Sequence, residues 1–249
     1  MTFIIISVIS VQAQVKTYIP TVEDKAALEG IIVEKYYVST ADDTVGTNGS
    51  LPIGSITYRI FVDLKPGYKL EAVYGDPVHE LNLKTTTTFF NNLDGGAKSG
   101  EIIDSKNINK TTVALDSWLS MGAANDFYWG IPLSDDKDGS IITTRKSLAK
   151  ADGFLYGNVP ATAYYGIDLN AFNKSKNSSN FSTNNGCWAN MLGVIAPKPE
   201  NKILIAQLTT DGKLSFELNI QIGTPKGNPV KFVAKNPADN EIKFDGLTY

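Results

Sequence analysis

The sequence predicts an all-β protein, an antiparallel β-sandwich of jelly-roll type with long loops and little helix. Three observations carry this expectation. Apolar and polar residues alternate with period two, most cleanly in Leu214-Ser215-Phe216-Glu217-Leu218-Asn219-Ile220-Gln221-Ile222. Successive side chains of a strand point to opposite faces, so such a segment covers a core on one side and meets water on the other. Short β-prone runs recur between clusters of Gly, Asn, Asp and Pro, the punctuation of a sandwich. No segment sustains the 3.6-residue period over a full helix length.

Taken in order, the chain opens with the apolar run Phe3-Ile4-Ile5-Ile6-Ser7-Val8-Ile9-Ser10-Val11, followed by Val11-Gln12-Ala13. The run is shorter than the roughly 20 apolar residues of a membrane span. Small residues sit where a signal peptidase needs them. Residues 1–13 therefore read as a secretory signal peptide, the alternative being a buried N-terminal strand. Residues 14–249 read as a single β-sandwich domain.

Thr21 can cap one or two helical turns ending by Leu28. Ile31 to Val38 is a strand rich in β-branched and aromatic residues. Ile56 to Leu64 is another, turned at Pro66-Gly67 and returned by Tyr68 to Tyr74. Thr85 to Phe90 is β-prone and stops at Asn91-Asn92. Thr112 to Leu119 is a further strand with weaker alternation. Ser147 to Ala151 offers a short helix. Lys202 to Thr209 and Leu214 to Ile222 form a hairpin around Asp211-Gly212. Pro229 to Ala234 is expected at a sheet edge, because Pro has no N–H for a ladder. Residues 91–110 and 134–190 are polar and loop-like.

Composition removes several chemistries. Lys and Arg total 23 against 26 Asp and Glu, a net charge of −3, and only Arg59 and Arg145 carry a guanidinium. That is a poor endowment for nucleic acid. One Cys, Cys187, precludes an internal disulfide, and one His, His79, precludes a His-rich zinc site. Cys187 reads as a small packed residue rather than a reactive thiol. His79 beside Glu80 reads as a hydrogen-bonding turn residue or as half of a nucleophilic dyad. No G-x-S-x-G elbow accompanies it.

Binding residues are sought in the loops. Phe127-Tyr128-Trp129-Gly130 and Gly186-Cys187-Trp188 lie in loop-like segments, with Asn125 close by. Tyr128, Trp129, Trp188 and Asn125 are the candidate ligand-binding residues, since exposed rings stack on sugars. The alternative is that these rings fill the open ends of the sandwich. Ser134-Asp135-Asp136-Lys137-Asp138-Gly139 resembles the start of a calcium loop, but Arg145 stands where an EF-hand needs a bidentate Glu. Asp135, Asp136 and Asp138 are thus candidates for a looser structural calcium site, or else a solvated acidic turn.

Leu28-Glu29-Gly30-Ile31-Ile32-Val33-Glu34-Lys35-Tyr36-Tyr37-Val38 and Gly49-Ser50-Leu51-Pro52-Ile53-Gly54-Ser55-Ile56-Thr57-Tyr58-Arg59 resemble a secreted family of Bacteroidetes-type bacteria. Pro66-Gly67-Tyr68, His79-Glu80-Leu81, Thr85 to Asn92 and Leu204-Ile205-Ala206-Gln207-Leu208-Thr209-Thr210-Asp211-Gly212 extend the likeness. Members of that family often continue into a type IX secretion sorting domain, which is not expected here. The resemblance implies export, to the cell surface, the medium or the periplasm, and a modular role without a defined reaction.

The expected function is that of a secreted, non-catalytic module recognising a glycan or matrix polymer through its loops. The alternatives are a structural or adhesive module binding other protein chains, and a glycosidase using two carboxylates. No nucleic-acid partner and no transmembrane segment are expected.

Overall fold

The computed structural model describes residues 18–46, 48–140, 145–173 and 178–249, so the expected signal peptide lies outside the described residues. The chain is all-β. Its one α-helix among the described residues, α1 (Val22–Lys25), is capped as expected by Thr21. The Thr21 hydroxyl accepts the Asp24 N–H at 3.1 Å, and the Asp24 carboxylate accepts the Thr21 N–H at 2.9 Å. This reciprocal box satisfies donors that a helix start leaves open.

The strands run β1 (Leu28–Val38), β2 (Ile56–Leu64), β3 (Lys69–Gly75), β4 (Leu81–Thr85), β5 (Trp118–Leu119), β6 (Tyr128–Gly130), β7 (Phe154–Tyr156) and β8 (Ala163–Tyr165). They continue with β9 (Asn180–Thr183), β10 (Gly186–Val194), β11 (Lys202–Thr210), β12 (Leu214–Glu217), β13 (Asn219–Gly223), β14 (Pro229–Val233) and β15 (Glu241–Lys243). They form a four-stranded sheet β1-β2-β11-β5 and a six-stranded sheet β15-β14-β13-β3-β10-β8. A three-stranded sheet β12-β4-β9 and the ribbon β6-β7 complete the set. Among the described strands, pairing is antiparallel except for β14 with β15, and an isolated parallel bridge joins Ser99 to Leu119.

One core unites these sheets. Ile60, Val62, Ile203 and Ile205 come from the four-stranded sheet, Leu70, Val73, Trp188, Ile220 and Phe232 from the six-stranded sheet, and Leu83, Phe181 and Phe216 from the three-stranded one. A second cluster gathers Phe61, Trp118, Phe154 and Leu204 on the other face of the four-stranded sheet. Neighbours Ile60 and Phe61 thus serve two cores, as strand alternation requires.

Several sequence expectations about partners are overturned. The segment 214–222 is not one strand. It breaks at Leu218, and its halves join different sheets. Asn219 explains the break: it is buried, and its Nδ2 donates to the carbonyls of Tyr74 and His79 at 3.3 and 3.2 Å. Its Oδ1 accepts the Ala234 N–H at 3.2 Å.

The expected hairpin around Asp211-Gly212 is also absent. β11 pairs with β2 and β5, whereas β12 pairs with β4. Pro66-Gly67 likewise turns the chain from one sheet to another, because β2 and β3 are not paired. Alternation identifies a strand but does not choose its partner.

Thr112 to Leu119 is a 3₁₀ turn followed by the two-residue β5, and Thr85 to Phe90 leaves the sheet after Thr85. The short helix expected at 147–151 is a 3₁₀ turn, Lys146–Leu148. β14 is not an edge, since β15 covers it, and Pro229 takes its first position, where a missing N–H is tolerated. Residues 134–190 are not all loop: they contain β7, β8, β9 and the start of β10.

Candidate functional site

The β6–β7 ribbon gathers the aromatic residues that the sequence marked and one that it did not. Asn125 starts the turn. It is fully buried, and its Oδ1 accepts the N–H groups of Phe127 and Tyr128, both at 3.0 Å. This side chain shapes the loop from inside and does not reach its surface.

Register then pairs Tyr128 with Tyr156, Trp129 with Leu155 and Gly130 with Phe154. Tyr128, Tyr156 and Phe154 consequently share one face. The Tyr128 ring meets Phe154 edge-on at 6.1 Å and Tyr156 edge-on at 5.6 Å. Exposure falls along this row: Tyr156 is 70% exposed, Tyr128 half-buried, and Phe154 1% exposed. Phe127, next in the chain, is 47% exposed.

Beneath Phe154 lies Arg59, fully buried on β2. Its guanidinium stands 4.9 Å from the Phe154 ring centre and 3.6 Å from that of Tyr36. Nε donates to Gln207 Oε1 and Nη1 to the Gly153 carbonyl, both at 3.0 Å. Burial pushes the Tyr36 hydroxyl up to about 12, with Arg59 opposing. Burial also raises Glu34, its cross-strand neighbour, against the lowering pull of the Leu133 N–H and Arg59. The outer tyrosines therefore rest on a rigid, charged and aromatic floor.

Trp129 points the other way. Its Nε1 donates to the Asn158 carbonyl at 2.9 Å, and its ring packs against the main core. Gly122 makes room for it: at φ +111°, a Cβ there would stand 2.6 Å from the indole. The half-buried Trp129 braces the ribbon against the core. Trp188 is a core residue, not a loop residue. It lies at 0% exposure on β10, with Phe181 edge-on at 6.1 Å. No face of its ring is open to a ligand.

The acidic turn has internal partners. Asp136 is buried; its Oδ1 accepts the N–H groups of Asp138 and Gly139, and its Oδ2 those of Asp152 and Gly153, at 2.9–3.2 Å. Asp135 pairs with Lys202 at 2.8 Å, and the Asp138 side chain belongs to an exposed residue. Asp136 and Asp135 thus have separate partners.

Both arginines are also engaged internally: Arg145 is 10% exposed at its side chain, with Nε 3.5 Å from Asp43. Among the described residues, no helix is long and apolar enough to cross a membrane. Cys187 is half-buried on β10, and burial raises its thiol pKa.

Sequence reasoning missed Tyr156. The available signal was Phe154-Leu155-Tyr156, with aromatic residues two apart and hence on one strand face. No protein-family model matches this chain, and neither the curated proteins nor the solved structures supply a match.

Proposed function

We propose that this chain is an exported, non-catalytic β module that binds an extracellular polymer, a glycan or matrix component, on its β6–β7 ribbon. The observation that carries the reading is Tyr156, 70% exposed yet fixed edge-on against Tyr128 at 5.6 Å. An exposed ring already held in place stacks on a sugar ring with little further loss of freedom. Tyr128 and Phe127 extend the apolar surface. The apolar run at residues 3–11 and the Val11-Gln12-Ala13 that ends it, read as a signal peptide, support the export half of the proposal.

Affinity electrophoresis of tag-free protein through gels containing single polysaccharides tests it. The intact chain is slowed by at least one polymer, and Tyr156→Ala and Tyr128→Ala restore free migration. Uniform migration of the intact chain through a broad polysaccharide panel contradicts the reading.

A second reading, a module that binds other protein chains, is favoured by a different surface. β10 leaves register with β3 between Ala189 and Val194, and Met191 and Leu192 there are 79% and 84% exposed. Cross-linking across a range of concentrations tests it. Concentration-dependent association lost in a Met191→Ser/Leu192→Ser variant supports it, and a monomer at all concentrations counts against it.

A further inference from the structure

His79 is the one histidine of the chain and is 6% exposed on the turn between β3 and β4. Both its ring nitrogens face oxygen. Nδ1 lies 3.1 Å from Asp76 Oδ1 and 3.4 Å from Asp76 Oδ2. Nε2 lies 3.3 Å from Glu241 Oε2 and 3.1 Å from the Asn236 carbonyl oxygen. A neutral imidazole donates through one nitrogen and bears a lone pair on the other. With the proton on Nδ1 toward Asp76, the Nε2 lone pair looks straight at two oxygens. A second ring proton relieves that clash, and so does a metal ion seated between Nε2 and the two oxygens.

We propose that His79 Nε2, a Glu241 carboxylate oxygen and the Asn236 carbonyl bind a divalent transition-metal ion of the zinc class, while Asp76 orients the imidazole. The ligand atoms of Asp76, His79 and Glu241 lie within 4.8 Å of one another. Bonds of about 2.0–2.1 Å in tetrahedral array place ligand atoms about 3.3 Å apart, close to the 3.1 and 3.3 Å seen around Nε2. A carboxylate on the far nitrogen of a ligating histidine is the usual device for fixing its tautomer.

Two further features accompany the cluster. Asn236 holds a left-handed backbone, φ +49°, which Asn adopts more readily than most residues, and this presents its carbonyl to Nε2. The Tyr74 hydroxyl is buried without a hydrogen-bond partner on a residue 9% exposed.

The other groups facing the cluster leave a ligand position open. The Ala238 N–H donates to Glu241 Oε2 at 3.0 Å, and Lys231 Nζ is 3.9 Å from Glu241 Oε1. A carboxylate oxygen has a second lone pair for a metal. The Glu241 side chain is 7% exposed and that of Asp76 30%.

With one histidine in the chain, its imidazole nitrogen resonances are assigned on sight. Chelator-washed, tag-free protein is titrated with Zn2+ and followed by long-range proton–nitrogen NMR and calorimetry. The expected result is one equivalent bound, a moved Nε2 resonance and a retained Nδ1 proton. Asp76→Asn weakens binding roughly 10- to 100-fold, Glu241→Gln at least as much, and Cys187→Ser leaves it unchanged. An imidazole spectrum unmoved by excess Zn2+ overturns the proposal, as does equal Zn2+ uptake by folded His79→Gln. The wild-type spectrum decides the matter if that variant does not fold.

Discussion

The guanidinium of Arg59 lies 3.6 Å above the ring of Tyr36, inside the protein and without exposure to water. Gln207 and the Gly153 carbonyl take two of its donors, and Gln207 itself donates to the carbonyls of Ala114 and Asp116 at 3.0 and 2.8 Å. The arginine thus ties β1, β2 and β11 to the loops beneath the ribbon. Arg59→Ala leaves buried acceptors unpaired and removes a desolvated cation–ring contact. The expected loss is about 3–5 kcal/mol of unfolding free energy in urea titration. Arg59→Lys recovers only a minor part, because an ammonium cannot supply the planar fork. A loss below about 1 kcal/mol for Arg59→Ala contradicts this role.

Trp188 is predicted to act through stability and not through binding. Trp188→Ala empties a core site and costs about 3–5 kcal/mol, read from denaturant midpoints at unchanged slope. Trp188→Phe is milder. A Trp188→Ala variant that unfolds like the parent chain would place the ring elsewhere.

Asp136 collects four backbone N–H groups between its two oxygens. An Asn in its place presents an NH₂ where an acceptor is needed. Asp136→Asn is expected to lose about 2–3 kcal/mol, by the same amount in calcium and in chelator. A loss seen only when calcium is present would show that the carboxylate serves an ion.

Acid stability follows from Asp24 and Asp76. Burial works to raise Asp24, but the Thr21 hydroxyl and N–H and the phenols of Tyr18 and Tyr68 outweigh it and hold the carboxyl below its ordinary value. Burial opposes the lowering of Asp76 too, overcome by the N–H groups of His79 and Val78 and by the imidazole. A depressed folded value means that ionisation favours the folded chain. The contribution is complete above the ordinary Asp pKa of about 4 and is lost as pH falls through the folded values.

Glu34, raised by burial, works oppositely, and its contribution declines as pH climbs from the ordinary value through the raised one. Asp24→Asn should therefore lower stability at neutral pH and flatten the acid limb. Parallel stability curves from pH 2 to 7 for variant and parent contradict this.

What the sequence made legible was local. The strand expected at Ile56–Leu64 folds with those bounds as β2, and Thr21 caps α1. Alternation and capping are written in neighbouring residues. Partner choice is not. Asn219, polar in an alternating run, became a sheet-switching residue through carbonyls some 140 positions away. β10 was hidden because Gly186, Ala189 and Asn190 lack strand propensity, yet β3 and β8 flank it on both sides. Gly186 suits that place, since a Cβ would lie 2.6 Å from the Tyr165 carbonyl. The candidate surface was half visible. Tyr128 was marked, but Tyr156 meets it only through ribbon register, and His79 meets Glu241 across more than 160 residues of chain.

The most direct measurement is calorimetric titration of the intact chain and of Tyr156→Ala with an oligosaccharide cut from a polymer that slows migration. Saturable heat from the intact chain and none from the variant, both with the same melting temperature, is the predicted result. Equal heats from the two proteins would contradict the claim that the exposed tyrosine of the ribbon carries recognition.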